Sequence, residues 1–133
     1  MIGFVHSTSD ALRGRSPRSD GGRFAENIAL RFLRRHGCVV LERNYRARSG
    51  TGEIDVVACQ GAALVFVEVK MLTAAEYGAP DCAAASANRP GLAEAAREYV
   101  HRSGAGWIKK RFDIVSVVLG NPMRVDWRRD TIR

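Results

Sequence analysis

Apolar residues recur at helical spacing in two parts of the chain. They return every three or four residues until Gly37, which predicts a helix over about 23–36. A second stripe of this kind follows Pro90, a residue that favours the first turn of a helix. The residues before the first helix mix Ser, Gly, Arg and Pro without a period. We therefore expect 1–22 to be a disordered tail and 23–133 to form one domain.

Five other segments carry the alternation or the short apolar run that is typical of β-strands. Three of them precede the second helix and two follow it, at 38–47, 53–59, 63–70, 111–119 and about 123–127. A tight connection at Gln60–Gly61 predicts an antiparallel hairpin, and 73–89 is predicted to be a loop. The strand that begins at Arg111 is apolar on both faces, which predicts a central position. This order predicts an α/β fold with a central mixed sheet flanked by helices.

Composition narrows the class of protein. The 133 residues, 46% of them hydrophobic, have room for one core of ordinary size. The longest apolar runs are far shorter than the ~20 residues that cross a bilayer, and the chain begins without a signal segment, so we expect a soluble, cytoplasmic protein. Three widely spaced cysteines and three isolated histidines match no disulfide framework, zinc motif or nucleophile elbow.

The formal net charge of +7 favours a polyanionic partner such as nucleic acid. Residues 23–48 hold seven Arg against two Glu, whereas residues 49–85 hold five acids against Lys70 alone. This arrangement suits a cation-binding centre with phosphate contacts at its rim, although a solvated helix face also explains most individual arginines. The candidates for contact with a nucleic-acid backbone are Arg23, Arg31, Arg34, Arg43, Arg46 and Arg48.

Four charges interrupt the apolar strands of the predicted hairpin. Glu53 and Asp55 share one face of their strand because successive side chains alternate, and Glu68 and Lys70 share one face of the next. Pairing around the predicted turn would bring Asp55 to the same side of the sheet as Glu68 and Lys70. Neighbouring carboxylates repel each other unless a cation compensates them, and Mg²⁺ or Mn²⁺ suits carboxylate and carbonyl oxygens.

Two further groups fit this interpretation. The strand carbonyl of Val69 is a candidate metal ligand, and Lys70 could orient or deprotonate an attacking water and stabilise charge on a phosphate. A cross-strand salt bridge between exposed charges explains the same spacing. On the first helix, Glu26 falls on the apolar side, between Leu30 and Leu33. A carboxylate there needs a partner, which is either the cation site on the sheet or an arginine.

These residues resemble a known nuclease superfamily. An acid on the first helix, then Asp followed thirteen residues later by Glu-x-Lys on adjacent strands, resembles the PD-(D/E)XK nucleases, whose restriction-endonuclease-like core runs αβββαβ. More closely, the chain resembles the YraN-like family of uncharacterised bacterial proteins, predicted endonucleases related to archaeal Holliday-junction resolvases. The matching segments, within about residues 22–128, are GRFAENIALRFLRRHG, Asn44-Tyr45-Arg46, GEID, FVEVK, Tyr77-Gly78 and RFD.

The resemblance implies a DNA endonuclease that uses one or two Mg²⁺ or Mn²⁺ ions. Carried over to this sequence, it implies metal ligation by Asp55 and Glu68, a catalytic role for Lys70 and a supporting carboxylate at Glu26. Glu53 is either a further ligand or a structural residue. Kinship with resolvases extends the expected partners to branched DNA and to a second copy of the chain, because a symmetric dimer would suit resolvase-like action.

Two positions depart from the family's pattern. Relatives commonly carry a basic residue two places after the motif lysine, where this chain has Leu72, and a lysine at the start of the second long helix, where it has Asn88. Arg89 is the available substitute for phosphate contact. These departures favour the main alternative, a non-catalytic nucleic-acid-binding module that keeps the nuclease fold. A third interpretation, a protein–protein adaptor, would use the apolar C-terminal strand and Trp127 as its interface.

Overall fold

The computed structural model describes residues 20–48, 50, 52–79, 91–106 and 108–131. Its elements, in chain order, are α1 (Asp20–Arg35), β1 (Cys38–Arg46), β2 (Glu53–Gln60), β3 (Ala63–Leu72), the short α2 (Ala74–Tyr77), α3 (Leu92–Ser103), β4 (Lys109–Val118) and β5 (Arg124–Arg128). The predicted α/β class and the order of the long elements are confirmed.

The five strands form one sheet in the order β1-β2-β3-β4-β5. Only β3 and β4 run parallel, and the other neighbouring strands pair antiparallel. The sheet is therefore mixed, as expected, and the segment between β3 and β4 contains both α2 and α3. A mixed five-stranded sheet flanked by helices is consistent with a restriction-endonuclease-like core.

The two long helices cover opposite faces of the sheet. The α1 side of the core contains Ala29, Leu30, Leu33, Cys38, Val56, Ala58, Ala63, Val65, Val67 and Val115. The α3 side contains Tyr45, Ala47, Ile54, Val57, Leu64, Phe66, Leu92, Ala95, Ala96 and Ala105. Because side chains alternate along a strand, Glu68 and Lys70 follow Phe66 onto the face that we call the α3 face, and Val69 follows Val67 onto the α1 face.

Several boundaries differ from the predicted ones. Helix α1 begins at Asp20 rather than at 23, because Gly21 and Gly22 lower helix propensity without excluding the conformation. The predicted tail therefore starts to differ at residue 20, and 1–19 lie outside the described residues. The hairpin turn is Gly61-Ala62 rather than Gln60–Gly61, since Gln60 pairs with Ala63.

The predicted loop after β3 contains one helical turn, α2. Thr73 caps it through a reciprocal pair of hydrogen bonds with Glu76, a short local signal that the apolar pattern does not reveal. Residues 80–90 lie outside the described ranges. No helix in the described part of the chain is long and apolar enough to cross a membrane.

Gly52, the first residue of the GEID segment, touches the start of α3. A side-chain carbon at this position would overlap the backbone of Gly91, the N-cap residue of α3. Only glycine therefore allows the two chain segments to approach this closely. This contact holds the residue that precedes β2 against the start of α3.

Candidate active site

The candidate site lies where β2 and β3 separate. Their pairing runs from Gln60–Ala63 to Val56–Val67 and ends there, although both strands continue. Beyond that point the backbone N–H of Val69 donates a 2.8 Å hydrogen bond to Oδ2 of Asp55 instead of to a β2 carbonyl. Asp55 is 2% exposed, so its carboxylate is held against the peptide that joins Glu68 to Val69.

Glu68 and Lys70 are half-buried on the α3 face of β3. Oε1 of Glu68 is buried, and the carboxylate of Asp55 is fixed beside its backbone. The expected approach of Asp55 to the Glu68–Lys70 segment is therefore seen in the structure. Val69 enters the site as the donor that orients Asp55, and its carbonyl stays a predicted ligand.

The oxygen ligands available here suit a hard divalent cation. Mg²⁺ and Mn²⁺ accept carboxylate, carbonyl and water oxygens, and Mg²⁺ sites often use only one or two carboxylates. Among the described residues, no group of three or more His, Cys, Asp and Glu side chains is arranged to hold a metal. Metal ligation by the pair Asp55 and Glu68, with backbone and water oxygens as further ligands, stays a prediction.

Glu26 is anchored to the strand beside Asp55. It is 1% exposed, and its Oε1 lies 3.3 Å from Nη2 of Arg43 and accepts a 3.3 Å hydrogen bond from Nδ2 of Asn44. Both partners belong to β1, which pairs with β2 on either side of Asp55. Of the two partners considered from the sequence, the structure shows the arginine. The pair is buried rather than at the rim of the helix, and a supporting role for Glu26 stays a prediction.

Glu53 forms a cross-strand ion pair. Its Oε1 lies 3.8 Å from Nη2 of Arg46, the residue directly opposite on β1, and both side chains are partly exposed. This contact gives Glu53 a structural role at the end of the β1–β2 ladder. A role as metal ligand stays a prediction.

The arginines nominated from the sequence fall into different settings. Arg43 is buried beside Glu26, so its guanidinium does not face a phosphate. Arg31 and Arg34 are exposed on α1 and therefore lie across the sheet from Glu68 and Lys70. The others are Arg23, partly exposed on α1, and Arg46 and Arg48, exposed at and beyond the end of β1.

The two positions that depart from the family pattern also differ in setting. Leu72 is 9% exposed at the end of β3, and its carbonyl accepts a hydrogen bond from the N–H of Leu119. This position therefore faces the interior of the molecule rather than a ligand. Asn88 and Arg89 lie outside the described residues.

A network that the sequence did not reveal joins β1 to α3. The hydroxyl of Tyr45 donates a 2.5 Å hydrogen bond to Oε2 of Glu98, which also accepts from the backbone N–H of Arg48. Arg102 donates to the Tyr45 hydroxyl over 3.2 Å. The hydrogen bond from Tyr45 lowers the pKa of Glu98, whereas burial raises the pKa of Tyr45. The spacing of Glu98 and Arg102, one helical turn apart, was the available signal.

This network borders a small cavity of about 180 Å³. Its lining residues are Glu42, Tyr45, Tyr99, Arg102 and Ser103. The rings of Tyr45 and Tyr99 meet edge to face with their centroids 5.2 Å apart. The Asn44-Tyr45-Arg46 segment therefore serves three contacts: Asn44 binds Glu26, Tyr45 binds α3, and Arg46 binds Glu53.

The RFD segment has a structural role. Asp113 is 2% exposed and accepts hydrogen bonds from the guanidinium of Arg111, the indole of Trp127 and the backbone N–H of Asp130. The bond to Asp113 raises the pKa of Arg111, which keeps its positive charge beside the carboxylate. The acid thereby joins β4 to β5 and to the residues that follow.

Comparison with known proteins places the chain in a family. The family model described as "Uncharacterised protein family UPF0102" matches residues 25–117, which include every residue of the candidate site. The chain belongs to UPF0102. It is 44% identical over 129 residues to a UPF0102 protein of Solibacter usitatus, with 97% of this chain and 98% of the relative covered. This confirms the family that the sequence resembles.

More distant UPF0102 proteins match most of the chain. A UPF0102 protein of Rhodococcus jostii is 36% identical over 100 residues, which cover 75% of this chain and 83% of the relative. One from Geobacter metallireducens is 37% identical over 102 residues, with 77% and 82% covered. The names of these UPF0102 relatives state no activity.

Proposed function

We propose that the chain is a divalent-metal-dependent DNA endonuclease that hydrolyses phosphodiester bonds. The observation that carries the proposal is the hydrogen bond between the Val69 N–H and Asp55, which fixes one carboxylate beside Glu68 and close to Lys70. A fixed carboxylate beside a Glu-x-Lys segment, at the point where two strands separate, is an arrangement suited to phosphoryl transfer. A cross-strand salt bridge alone would not require the ladder to stop at Val56–Val67.

Each residue of the site has a distinct task in this proposal. Asp55 and Glu68 would hold Mg²⁺ or Mn²⁺, and the ion, when bound, supplies Lewis-acid polarisation of the phosphate. The ammonium of Lys70 donates a hydrogen bond to the phosphate oxygen on which negative charge grows, and it orients the attacking water. A bond forms between the water oxygen and phosphorus while the bond from phosphorus to a sugar oxygen breaks. One water proton is released to solvent, and the departing oxygen takes one up.

A non-catalytic DNA-binding module is the second candidate. It is favoured by the absence of a basic residue at Leu72, two places after Lys70, where the family resemblance leads us to expect one. The adaptor interpretation has less support, because Trp127 donates a hydrogen bond to Asp113 and packs edge to face against Phe32. The indole is therefore committed to intramolecular contacts.

Cleavage of defined DNA substrates tests the proposal. Linear, flap and four-way DNA should be incubated with the full chain in Mg²⁺ or Mn²⁺, alongside Asp55→Asn, Lys70→Ala and the surface control Glu94→Gln. We expect the parent and Glu94→Gln to cleave, and the two site variants to lose about 100-fold or more in rate. The four-way substrate is included because the sequence resembles resolvase-related nucleases, and light scattering of the same samples tests for a homodimer.

The results separate the candidates. Equal cleavage by Lys70→Ala and the parent would show that the activity does not belong to this site. DNA binding without cleavage in either ion would favour the non-catalytic module instead.

A further inference from the structure

We infer that Arg124 and Arg128 form a phosphate-binding row along β5, on the same face of the sheet as the candidate site. The identity of the ligand, a DNA backbone, rests on the proposed function. The position of the row rests on strand register alone. Neither arginine was among the nucleic-acid contacts nominated from the sequence, and both lie beyond the part of the chain that matches the family model.

The register places β5 residues in line with the site. Glu68 of β3 pairs with Ile114 of β4, which pairs with Arg128 of β5. The next position on the same face aligns Lys70, Ser116 and Asp126, and the two β4 residues in these alignments, Ile114 and Ser116, are buried. Residues in register share a face of the sheet, so these side chains lie on the α3 face with Glu68 and Lys70.

Arg124 lies on the same face of β5, two residues before Asp126. It pairs with Val118, which pairs with Leu72 at the end of β3. Two strand spacings of ~4.8 Å put the backbone of β5 about 10 Å from that of β3. The alternate β5 residues Val125 and Trp127 pack on the α1 side of the core, which confirms the assignment of faces.

The settings of both guanidinium groups suit a charged ligand. Arg128 is 47% exposed, and its ion pair with Asp126 is also exposed, so exchange of the carboxylate for a phosphate costs little. The guanidinium of Arg124 lies 5.3 Å from the ring centre of Tyr77 in α2, just beyond the end of β3. This contact holds the charge near the site and assigns a positioning role to Tyr77 of the Tyr77-Gly78 segment.

The other nominated arginines are less well placed to extend the site in this direction. Arg31 and Arg34 lie on the far side of the sheet, and Arg43 is buried. The β4 residues between the site and β5 on this face, Ile114, Ser116 and Val118, are buried. A DNA strand bound at Glu68 and Lys70 would therefore pass over the covered part of β4 and meet Arg128 and Arg124 at the exposed strand β5. Asp126 lies between them and carries the opposite charge, so removal of its charge should change DNA affinity in the opposite direction.

DNA binding without cleavage tests the row. Affinity of the full chain for a fluorescent duplex should be measured in EDTA over a range of salt concentrations. We expect Arg124→Ala and Arg128→Ala each to weaken binding about eightfold at roughly 0.1 M salt, and to reduce the slope of log K against log salt by about 0.9. Asp126→Asn should bind more tightly than the parent, because it removes a negative charge from the path.

Lys109→Ala is the matched control. Lys109 is an exposed residue at the opposite end of β4 from Ser116, and its removal changes the net charge by the same single unit. We expect it to change affinity less than twofold. Arg124→Lys should retain most of the parent's affinity, because phosphate contact depends chiefly on charge. Thermal melts of every variant show whether an altered affinity reflects an altered fold.

The outcomes distinguish this inference from the proposed function. If both arginine variants bind as Lys109→Ala does, the row is wrong while the endonuclease proposal stands. If the parent binds through the row but cleaves nothing in Mg²⁺ or Mn²⁺, the row stands and the endonuclease proposal fails. A parent that binds no DNA at any salt concentration overturns both.

Discussion

Glu26 is a single buried charge for which the sequence allows two partners, a bound cation or an arginine. Its carboxylate lies against Arg43 and Asn44 inside the molecule. Helical periodicity correctly placed Glu26 on the apolar side, and its partner was left open. The choice could not be predicted because Arg43 is 17 residues away and reaches Glu26 only after α1 has packed on the sheet.

Removal of Glu26 should destabilise the fold. In Glu26→Ala the Arg43 guanidinium keeps its charge in a buried place, so we expect the free energy of unfolding to fall by about 3–5 kcal/mol. The combined variant Glu26→Ala/Arg43→Ala should lose less than the sum of the two single changes, because the charges stabilise each other. Urea unfolding measures all three, with the exposed Glu94→Ala as control. Additive losses would show that the pair is not coupled.

Elements were predicted more reliably than their connections. The apolar run from Ala63 to Val67 correctly predicted a strand, which is buried on both faces in that stretch. Alternation correctly placed Glu68 and Lys70 on the face opposite Val67 and Val69. The same alternation predicted that Asp55 and Glu68 approach each other. Contacts between elements distant in the chain, such as Tyr45 with Glu98, leave no periodic trace in the sequence and became visible only in the fold.

The contact of α3 with β1 should depend on pH. The pKa of Glu98 is lowered in the folded chain, chiefly by the hydrogen bond from the Tyr45 hydroxyl. The ionised Glu98 therefore stabilises the fold fully above the pKa of an unfolded glutamate, about 4.3. This stabilisation is lost as pH falls through the lower pKa of the folded chain. Tyr45→Phe should therefore melt below the parent at pH 7, and the difference should begin to shrink only as pH falls below about 4.3. Thermal melts across this range measure it. A difference that is constant with pH would contradict the assignment.

At the scale of the whole molecule, a bound ion would couple the site to the stability of the fold. A ligand that binds only the folded chain raises the free energy of unfolding by about 2.7 kcal/mol at a concentration 100 times its Kd. We expect Mg²⁺ or Mn²⁺ to raise the melting temperature of the parent and of Glu94→Gln, but not that of Asp55→Asn or Glu68→Gln. Equal shifts in all four chains would place the ion elsewhere.

The turn at Gly61-Ala62 controls a site that it does not touch. The hairpin is counted from this turn, so an insertion or deletion of one residue there would shift β3 by one position against β2. Glu68 and Lys70 would then turn toward α1, and Asp55 would face a different peptide group. The length of this two-residue loop therefore determines which side chains of β3 lie beside Asp55 at the far end of the hairpin. Natural variation at the turn should be confined to substitutions that leave the number of residues unchanged.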